Sequence, residues 1–446
     1  MMKDLFGKLG ADPDKDLKRL LRAIQKNKVS ILPTGMKKHF EIAKLKPAGF
    51  KDHDTVLGIS IGGSNTKVVL ASMKAGRMVL HHLSARMNPS SKTFYTEYFD
   101  DLLFGDAQIR DFINHSESLC IGISIAVPVI DGVPYHKSKI PTIDGLIARD
   151  YEKDAPTHHL RENMFDYLKG KGVSCKSFFC QFDCIVANHG GASLCGLEPE
   201  DKTLLLVCGT GLATAIEEHT VSIGMVDAHD SELDDETLLP FDLTEGHQYQ
   251  YAVAGKGLYG IMARAIAIKS REAGSKLCFN EPASYFKTAY DTKTVVEIWE
   301  STLGCGIGAK AEELFKTLGP EAFLEVKDIA AAIVKRAITG LANCAVATIC
   351  ANSDGNNRKH TVFFEGSIAL NDNILPRVKN EILCRIGTSP VFGELNICRP
   401  PAPFLDKALL PVSAAGRDVS ENELRQVDLT VKGVITSAVA EDILNS

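Results

Sequence analysis

The stretch TVLGISIGGSNTKVVLA fills residues 55–71 and has the pattern of a β-hairpin. Two runs rich in β-branched residues, 56–61 and 66–71, flank the turn Gly-Gly-Ser-Asn at 62–65. Because glycine lacks a Cβ, a phosphate group can approach the backbone N–H groups of such a turn closely. The stretch therefore predicts a hairpin that carries a candidate phosphate-binding turn.

Two further apolar runs end in similar turns. The sequence Gly-Thr-Gly at 209–211 follows the run 203–208, and Gly-Ser at 366–367 follows the run 361–364. A single turn of this kind is usually only a connection between strands. Three of them, each after an apolar strand, indicate a nucleotide-binding cleft. Hydroxyl donors in the three turns are Ser64, Thr210 and Ser367.

The remaining pattern indicates an α/β protein with two lobes. Strand signals cover 119–127 and 178–186 in the first half of the chain, whereas the second half is mostly helical. An amphipathic helix is predicted at 16–25, and an alanine- and valine-rich helix at 429–444. Other predicted helices are 258–272, 292–302, 307–315 and 328–351. Strands followed by helices are typical of layered α/β folds.

Composition excludes several classes of protein. Among 446 residues the net charge is −6, which argues against a nucleic-acid partner. The most apolar segment, 329–351, is interrupted by Lys335, Arg336 and Asn343, so we expect a buried helix and no membrane association. The twelve cysteines form no C-x-x-C pair, which argues against a zinc site, and we expect no metal-binding side-chain cluster. Without a signal peptide, the chain is expected to be reduced and cytoplasmic.

In order along the chain, these motifs resemble those of the hexokinase family, within the actin-like ATPase fold of sugar kinases. The similarity also includes Leu-Pro-Thr at 32–34, Ser-Lys at 138–139 and a closing helix with Lys-Gly at 432–433. It implies a two-lobed α/β fold with an interlobe cleft. The small lobe is expected at 52–187, rejoined by the helix 430–446, and the large lobe at 1–51 and 188–429.

The resemblance implies ATP with Mg²⁺ and a hexose as small-molecule ligands. The implied nucleotide-binding residues are Gly62, Gly63, Ser64, Lys67, Gly209, Thr210, Gly211, Gly366 and Ser367. The implied sugar-binding residues are Ser138, Lys139, Asn188 and Tyr251.

The catalytic base is the position at which the resemblance breaks. The family carries an aspartate at a strand end shortly before the second phosphate turn. The segment 191–196 sets a register in which Asn188 replaces that aspartate, and an amide cannot accept the proton. A slipped register would make Asp183 the base, and His189 is a further alternative.

Other departures fall in the same functional cluster. Ser60 stands where the family has a metal-linked aspartate, and Glu365 stands where it has the aspartate of Asp-Gly-Ser. Gly224 and Tyr251 replace two sugar-binding glutamates, and Ala-Val-Pro at 126–128 replaces Ser-Phe-Pro. Two hypotheses follow: an enzyme that phosphorylates a hexose, or a non-catalytic relative that binds nucleotide or sugar and acts through a protein partner.

Overall fold

The computed structural model describes most of the chain. The described residues are 13–26, 29, 31–44, 55–62, 65–74, 77–91, 93–116, 119–126, 129–130, 133–134, 143–144, 160–195, 197, 200–209, 211–226, 249–277, 291–352, 359–386, 395–398 and 428–445. They form two large β-sheets with helices packed around them.

The secondary structure alternates between helices and strands along the chain. The α-helices are α1 (Pro13–Gln25), α2 (Lys37–Lys44), α3 (Tyr95–Phe99), α4 (Ala107–His115), α5 (Leu160–Gly170), α6 (Asp183–Cys195), α7 (Gln250–Val253), α8 (Gly255–Lys269), α9 (Thr292–Thr302), α10 (Ala309–Leu318), α11 (Pro320–Asn352), α12 (Leu375–Ile386) and α13 (Leu429–Asn445). The strands are β1 (Ile31–Pro33), β2 (Thr55–Ile61), β3 (Asn65–Lys74), β4 (Arg77–Met87), β5 (Thr93–Phe94), β6 (Leu119–Ile125), β7 (Val129–Ile130), β8 (Val133–Pro134), β9 (Ile143–Asp144), β10 (Cys175–Phe182), β11 (Lys202–Cys208), β12 (Leu212–Ile216), β13 (His219–Val221), β14 (His360–Glu365) and β15 (Leu395–Cys398).

The first sheet has five strands in the order β10-β6-β2-β3-β4. Strands β2, β6 and β10 run parallel, whereas β3 and β4 are antiparallel to their neighbours. The predicted hairpin is confirmed, because β2 pairs with β3 and places Ser60 opposite Lys67. The carboxyl ends of the three parallel strands therefore lie side by side.

Each face of this sheet is covered by helices. Side chains alternate between the two faces of a strand, so Leu57 and Ile59 face the cluster formed with α4 and α5. Val56 faces the other side, where it packs in one cluster with Ile435 of α13. Gly122 lies on that second face, where a Cβ would stand 2.5 Å from the carbonyl oxygen of Val434. The missing side chain lets α13 lie directly on the sheet.

The second sheet has six strands in the order β1-β13-β12-β11-β14-β15. Strands β11, β14 and β15 run parallel, and the predicted strands at 203–208 and 361–364 correspond to β11 and β14. Helix α11 lies in the core beside this sheet. Among the described residues, α11 alone has the length and apolar composition of a membrane span, and 89% of its most apolar window is buried inside the protein.

Helices α6 and α13 join the two sheets. Residues of α6 pack with Phe179 of the first sheet and with Leu205 and Phe363 of the second. The two helices also touch each other so closely that a Cβ at Gly433 would stand 1.8 Å from the carbonyl oxygen of Val186. The exact division of the chain into lobes stays a prediction.

The predicted strand at 178–186 is wrong in its second half. Strand β10 ends at Phe182, and residues 183–186 form the first turn of α6. This helix is buried between both sheets and α13, so it lacks the alternation of apolar and polar residues that marks a surface helix. A short apolar run cannot be assigned to strand or helix by its periodicity alone.

Candidate functional site

The carboxyl ends of the parallel strands of both sheets lie near the start of α13. Gly62 follows β2 and Asp183 follows β10, while Gly209 follows β11 and Gly366 follows β14. Both sheets contact the start of α13 there: Lys67 of the first sheet forms an ion pair with Asp428, and Glu365 of the second sheet accepts a hydrogen bond from Thr430. Clefts at the carboxyl ends of parallel strands are the usual ligand sites of α/β proteins.

Two of the predicted phosphate turns are held against each other. Gly366 has a φ of +94°, and a Cβ on it would stand 2.4 Å from the carbonyl oxygen of Cys208. The N–H of Ile368 donates to that same oxygen at 3.1 Å, and the N–H of Gly255 donates to the Gly209 carbonyl at 2.8 Å. A Cβ on Gly209 would meet no atom of the described residues within 4 Å, so they leave space beside this turn. Residues 63, 64 and 210 lie outside the described part of the chain.

Lys67 extends from β3 into the cleft. Its ammonium group forms an ion pair with the carboxylate of Asp428. Asp428 directly precedes α13 and caps it, because its Oδ1 accepts the N–H of Val431 at 2.9 Å. The pair therefore links the first sheet to the N-terminus of α13.

Glu365 ends β14 as a buried carboxyl group. Its Oε1 accepts a hydrogen bond from the Thr430 hydroxyl at 2.7 Å. Burial raises the pKa of Glu365 well above its usual value, and the nearby charge of Asp428 raises it further, while Thr430 and Lys67 act in the opposite direction. The neutral form of Glu365 is therefore favoured over an unusually wide pH range.

Asp183 stands where β10 ends and α6 begins. Its side chain is densely surrounded by protein but keeps part of its surface open to solvent. Burial raises the pKa of Asp183 to about 7, with a smaller contribution from the charge of Asp428 and an opposing one from the N–H of Cys184. A carboxyl group with a pKa near neutrality both accepts and releases protons readily, as a general base must.

Asn188 and His189 lie elsewhere. Asn188 is fully buried, about one and a half turns into α6, and its amide donates to the Glu217 carbonyl at 3.1 Å. The expected position of Asn188 at a strand end is therefore wrong. His189 contacts the Ser437 hydroxyl at 2.6 Å and the His39 carbonyl at 2.7 Å, which holds α6 against α13 and α2.

Only part of the predicted sugar side is described. Tyr251 is half-buried in α7, and the neighbouring Gln250 approaches Gly211 of the second phosphate turn, with its Oε1 3.3 Å from where a Cβ would stand. Gly224 lies in the short turn Ile223–Met225. Ser138 and Lys139 lie outside the described residues.

The sequence interpretation missed Asp428 and Thr430. An aspartate directly before an apolar run is a common helix N-cap, so the start of α13 at 429 was a detectable signal for a cap. That this cap contacts Lys67 and Glu365 depends on the tertiary fold, because these residues are far apart in the chain.

The residues of the cleft fit a magnesium nucleotide. Within the described ranges, no group of three or more His, Cys, Asp or Glu side chains is arranged to hold a metal ion. Mg²⁺ usually binds through one or two carboxylates together with phosphate and water oxygens, which does not require such a group. Asp428, paired with Lys67 and partly open to solvent, can supply such a carboxylate oxygen.

Comparisons with known proteins show the fold. No protein-family model and no curated protein matches the sequence. A crystal structure of a hexokinase superposes with a TM-score of 0.60 at 13% identity, covering 99% of this chain and 96% of that one. A hexokinase from Schistosoma mansoni complexed with glucose superposes with a TM-score of 0.56 at 12% identity, covering 89% and 96%. The chain therefore has the two-lobed α/β fold of the hexokinases, as the sequence motifs predicted.

Proposed function

We propose that this chain is a kinase that transfers the γ-phosphoryl group of ATP to a hydroxyl of a hexose, with Asp183 as the general base. The observation that carries the proposal is the position of Asp183. Its carboxyl group lies at the end of β10, where burial, with a smaller contribution from the charge of Asp428, raises its pKa to about 7. The similarly folded Schistosoma mansoni hexokinase binds glucose, which supports a hexose as the acceptor.

Each residue has a defined role in this reaction. Asp183 accepts the proton of the sugar hydroxyl while the hydroxyl oxygen attacks the γ-phosphorus, and the bond to the bridging oxygen breaks to release ADP. The turns at Gly62, Gly209 and Gly366 let phosphate oxygens approach the backbone, and Lys67 supplies positive charge. When bound with the nucleotide, Mg²⁺ would neutralise charge that develops on the phosphates.

The nucleotide side of the cleft is better preserved than the sugar side. We propose that Gly63, Ser64, Thr210, Gly211 and Ser367 complete the phosphate site, and that Ser138, Lys139 and Tyr251 contact the sugar. Because Gly224 and Tyr251 bring no carboxylate to the sugar, the hydroxyl groups that those two carboxylates would bind lose a charged partner, at a cost of about 1–3 kcal/mol each. We therefore expect weaker binding of glucose than of ATP.

One observation favours the alternative, a non-catalytic protein that binds nucleotide. Ser60 is neutral, and the charge of Lys67 is already balanced by Asp428. A cleft of this kind can bind ATP and change conformation without reaction. The two functions differ in one measurable property, which is whether ADP is released in proportion to an added sugar.

A coupled assay of ADP release with a panel of hexoses tests the proposal. We expect hexose-dependent turnover in the wild type and a loss of kcat of about a hundred- to ten-thousand-fold in Asp183→Asn, with ATP affinity retained. Asn188→Asp places a charge on a fully buried side chain whose Oδ1 has no hydrogen-bond partner among the described residues, so it should destabilise the protein and leave the activity no higher.

Two results would contradict this assignment. Full activity in Asp183→Asn would show that Asp183 is not the base. A gain of activity in Asn188→Asp would show that position 188 is the catalytic position, as the sequence register indicated. ATP binding without turnover of any hexose would establish the non-catalytic alternative.

A further inference from the structure

The ion pair between Lys67 and Asp428 is partly open to solvent. The side chain of Lys67 is 19% exposed and that of Asp428 is 29% exposed. Asp183 serves as the proposed base, and Glu365 is held by Thr430. Asp428 is therefore the carboxylate that is best placed to exchange its partner for a ligand.

A second observation indicates that this charged cluster is incomplete without a ligand. Glu365 is only 8% exposed, and its Oε2 has no hydrogen-bond partner among the described residues. Buried polar atoms are almost always satisfied in folded proteins. An unsatisfied carboxyl oxygen beside Lys67, Asp183 and Asp428 thus points to a missing polar group in the cleft.

We propose that the Lys67–Asp428 ion pair exchanges partners when the magnesium nucleotide binds. Lys67 turns to a phosphate oxygen, and Asp428 turns to the magnesium ion that arrives with it. The exchange leaves neither charge of the pair without a new partner, which matters because a partly buried charge that loses its partner is costly. This inference rests on the proposed nucleotide-binding function and names the residue that holds the metal.

The exchange makes an unusual prediction for nucleotide binding. In the wild type without Mg²⁺, ATP must compete with Asp428 for Lys67. If Lys67 turns to a phosphate, the negative charge of Asp428 is left without the magnesium ion and repels the ATP phosphates. Removal of the Asp428 charge should therefore improve binding of metal-free ATP while it abolishes the benefit of Mg²⁺. A residue with a purely structural role would weaken both forms of ATP binding alike.

Isothermal titration calorimetry with ATP, in EDTA and in excess Mg²⁺, tests this on the full chain. Asp428→Asn is the informative variant, because asparagine keeps the oxygen that caps Val431 and so preserves the start of α13. We expect Mg²⁺ to tighten ATP binding by at least about tenfold in the wild type, as a charge-assisted contact would. In Asp428→Asn this gain should fall to about twofold or less, with metal-free ATP bound equally or more tightly.

Two further variants make the test specific. Lys67→Met should weaken ATP binding both with and without Mg²⁺. Asp442→Asn removes the carboxylate of another ion pair, with Lys176 near the other end of α13, and should leave the magnesium gain as in the wild type.

The outcomes separate this inference from the proposed function. An unchanged magnesium gain in Asp428→Asn, or no gain in the wild type, overturns the exchange. If the gain is present and lost as expected while no hexose is turned over, the exchange stands and the kinase assignment fails. Absence of ATP binding under both conditions overturns both.

Discussion

The carboxyl group of Asp183 illustrates how one residue can favour activity at the expense of stability. Dense surroundings and the charge of Asp428 disfavour its ionised form in the folded protein. In the unfolded chain the same group ionises at an ordinary pKa of 3.8. Above about pH 4 the group is ionised in the unfolded chain, and its raised pKa in the folded protein therefore lowers the free energy of unfolding.

Asp183→Asn should make the protein more stable above neutral pH. As pH rises from about 4 to 7, the unfolded state loses this proton and the folded state keeps it, so wild-type stability falls across that window. Asparagine removes this penalty, which we place on the order of 2 kcal/mol because the side chain is partly solvated. Urea unfolding at pH 4 and pH 8 measures it, and an equal difference at both pH values would contradict it.

His189 should give a pH dependence with the opposite sign. Burial lowers its pKa to about 4, while the unfolded chain takes up a proton near 6.5, so wild-type stability is lost as pH falls between these values. At pH 7, His189→Gln should cost about 1–3 kcal/mol through the lost contacts with Ser437 and His39. At pH 5 this difference should shrink by roughly 2 kcal/mol, and unfolding curves in which it stays constant would disprove the argument.

Single residues could be predicted where their role is local. The glycine turns were recognisable because the need for a missing Cβ is a property of one position. The base was ambiguous, because the choice between Asn188 and Asp183 depends on where β10 ends. Asp428 was not assigned to the cleft, since its contact with Lys67 joins two distant segments.

The contact between α6 and α13 depends on two glycines, Gly190 of α6 and Gly433 of α13, each of which lies against the backbone of the other helix. A Cβ at Gly190 would stand 2.3 Å from the carbonyl oxygen of Leu429, and one at Gly433 would be closer still to that of Val186. Backbone atoms cannot move aside as a flexible side chain can. The two helices can therefore approach this closely only because both positions are glycine, since any Cβ would overlap the backbone of the other helix.

Gly433→Ala should therefore destabilise the protein, although alanine favours helices. Overpacking at a buried contact typically costs about 1–3 kcal/mol, and we expect the upper end here because the obstacle is a carbonyl oxygen. Gly170→Ala, at the end of α5 where a Cβ meets no atom within 4 Å, is the matched control and should be neutral or slightly stabilising. Thermal unfolding of both variants measures the effect, and equal melting temperatures would refute it.

Strands were predictable where a short β-rich or apolar run is followed by a glycine turn. The hairpin β2–β3 and the strands β11 and β14 were identified from composition and turn residues. Helix α6 was missed because it is surrounded by protein, which leaves no polar side to reveal a helical period. As a result, Asn188, which was expected at the end of a strand, lies inside a helix instead.

For the whole molecule, the order of motifs along the chain predicted the two-lobed fold that the superposed hexokinases share. A fold of this kind places strand ends from both sheets at one cleft, so motifs that are separate in sequence come together. Substrate identity did not follow in the same way, because few of the expected sugar contacts match. Function is determined by such side chains, whereas the fold tolerates their replacement.

The placement of α13 has a consequence for the synthesis of the chain. The sheet face that carries Val56 and Cys120 is covered by residues 431–439, which leave the ribosome long after the five strands themselves. Until then an apolar β-surface is exposed to the cell, and such surfaces promote aggregation. The cleft is likewise completed late, because Asp428 and Thr430 belong to the same segment. The ability to bind a ligand and the burial of the last apolar face therefore arise in the same step of biosynthesis.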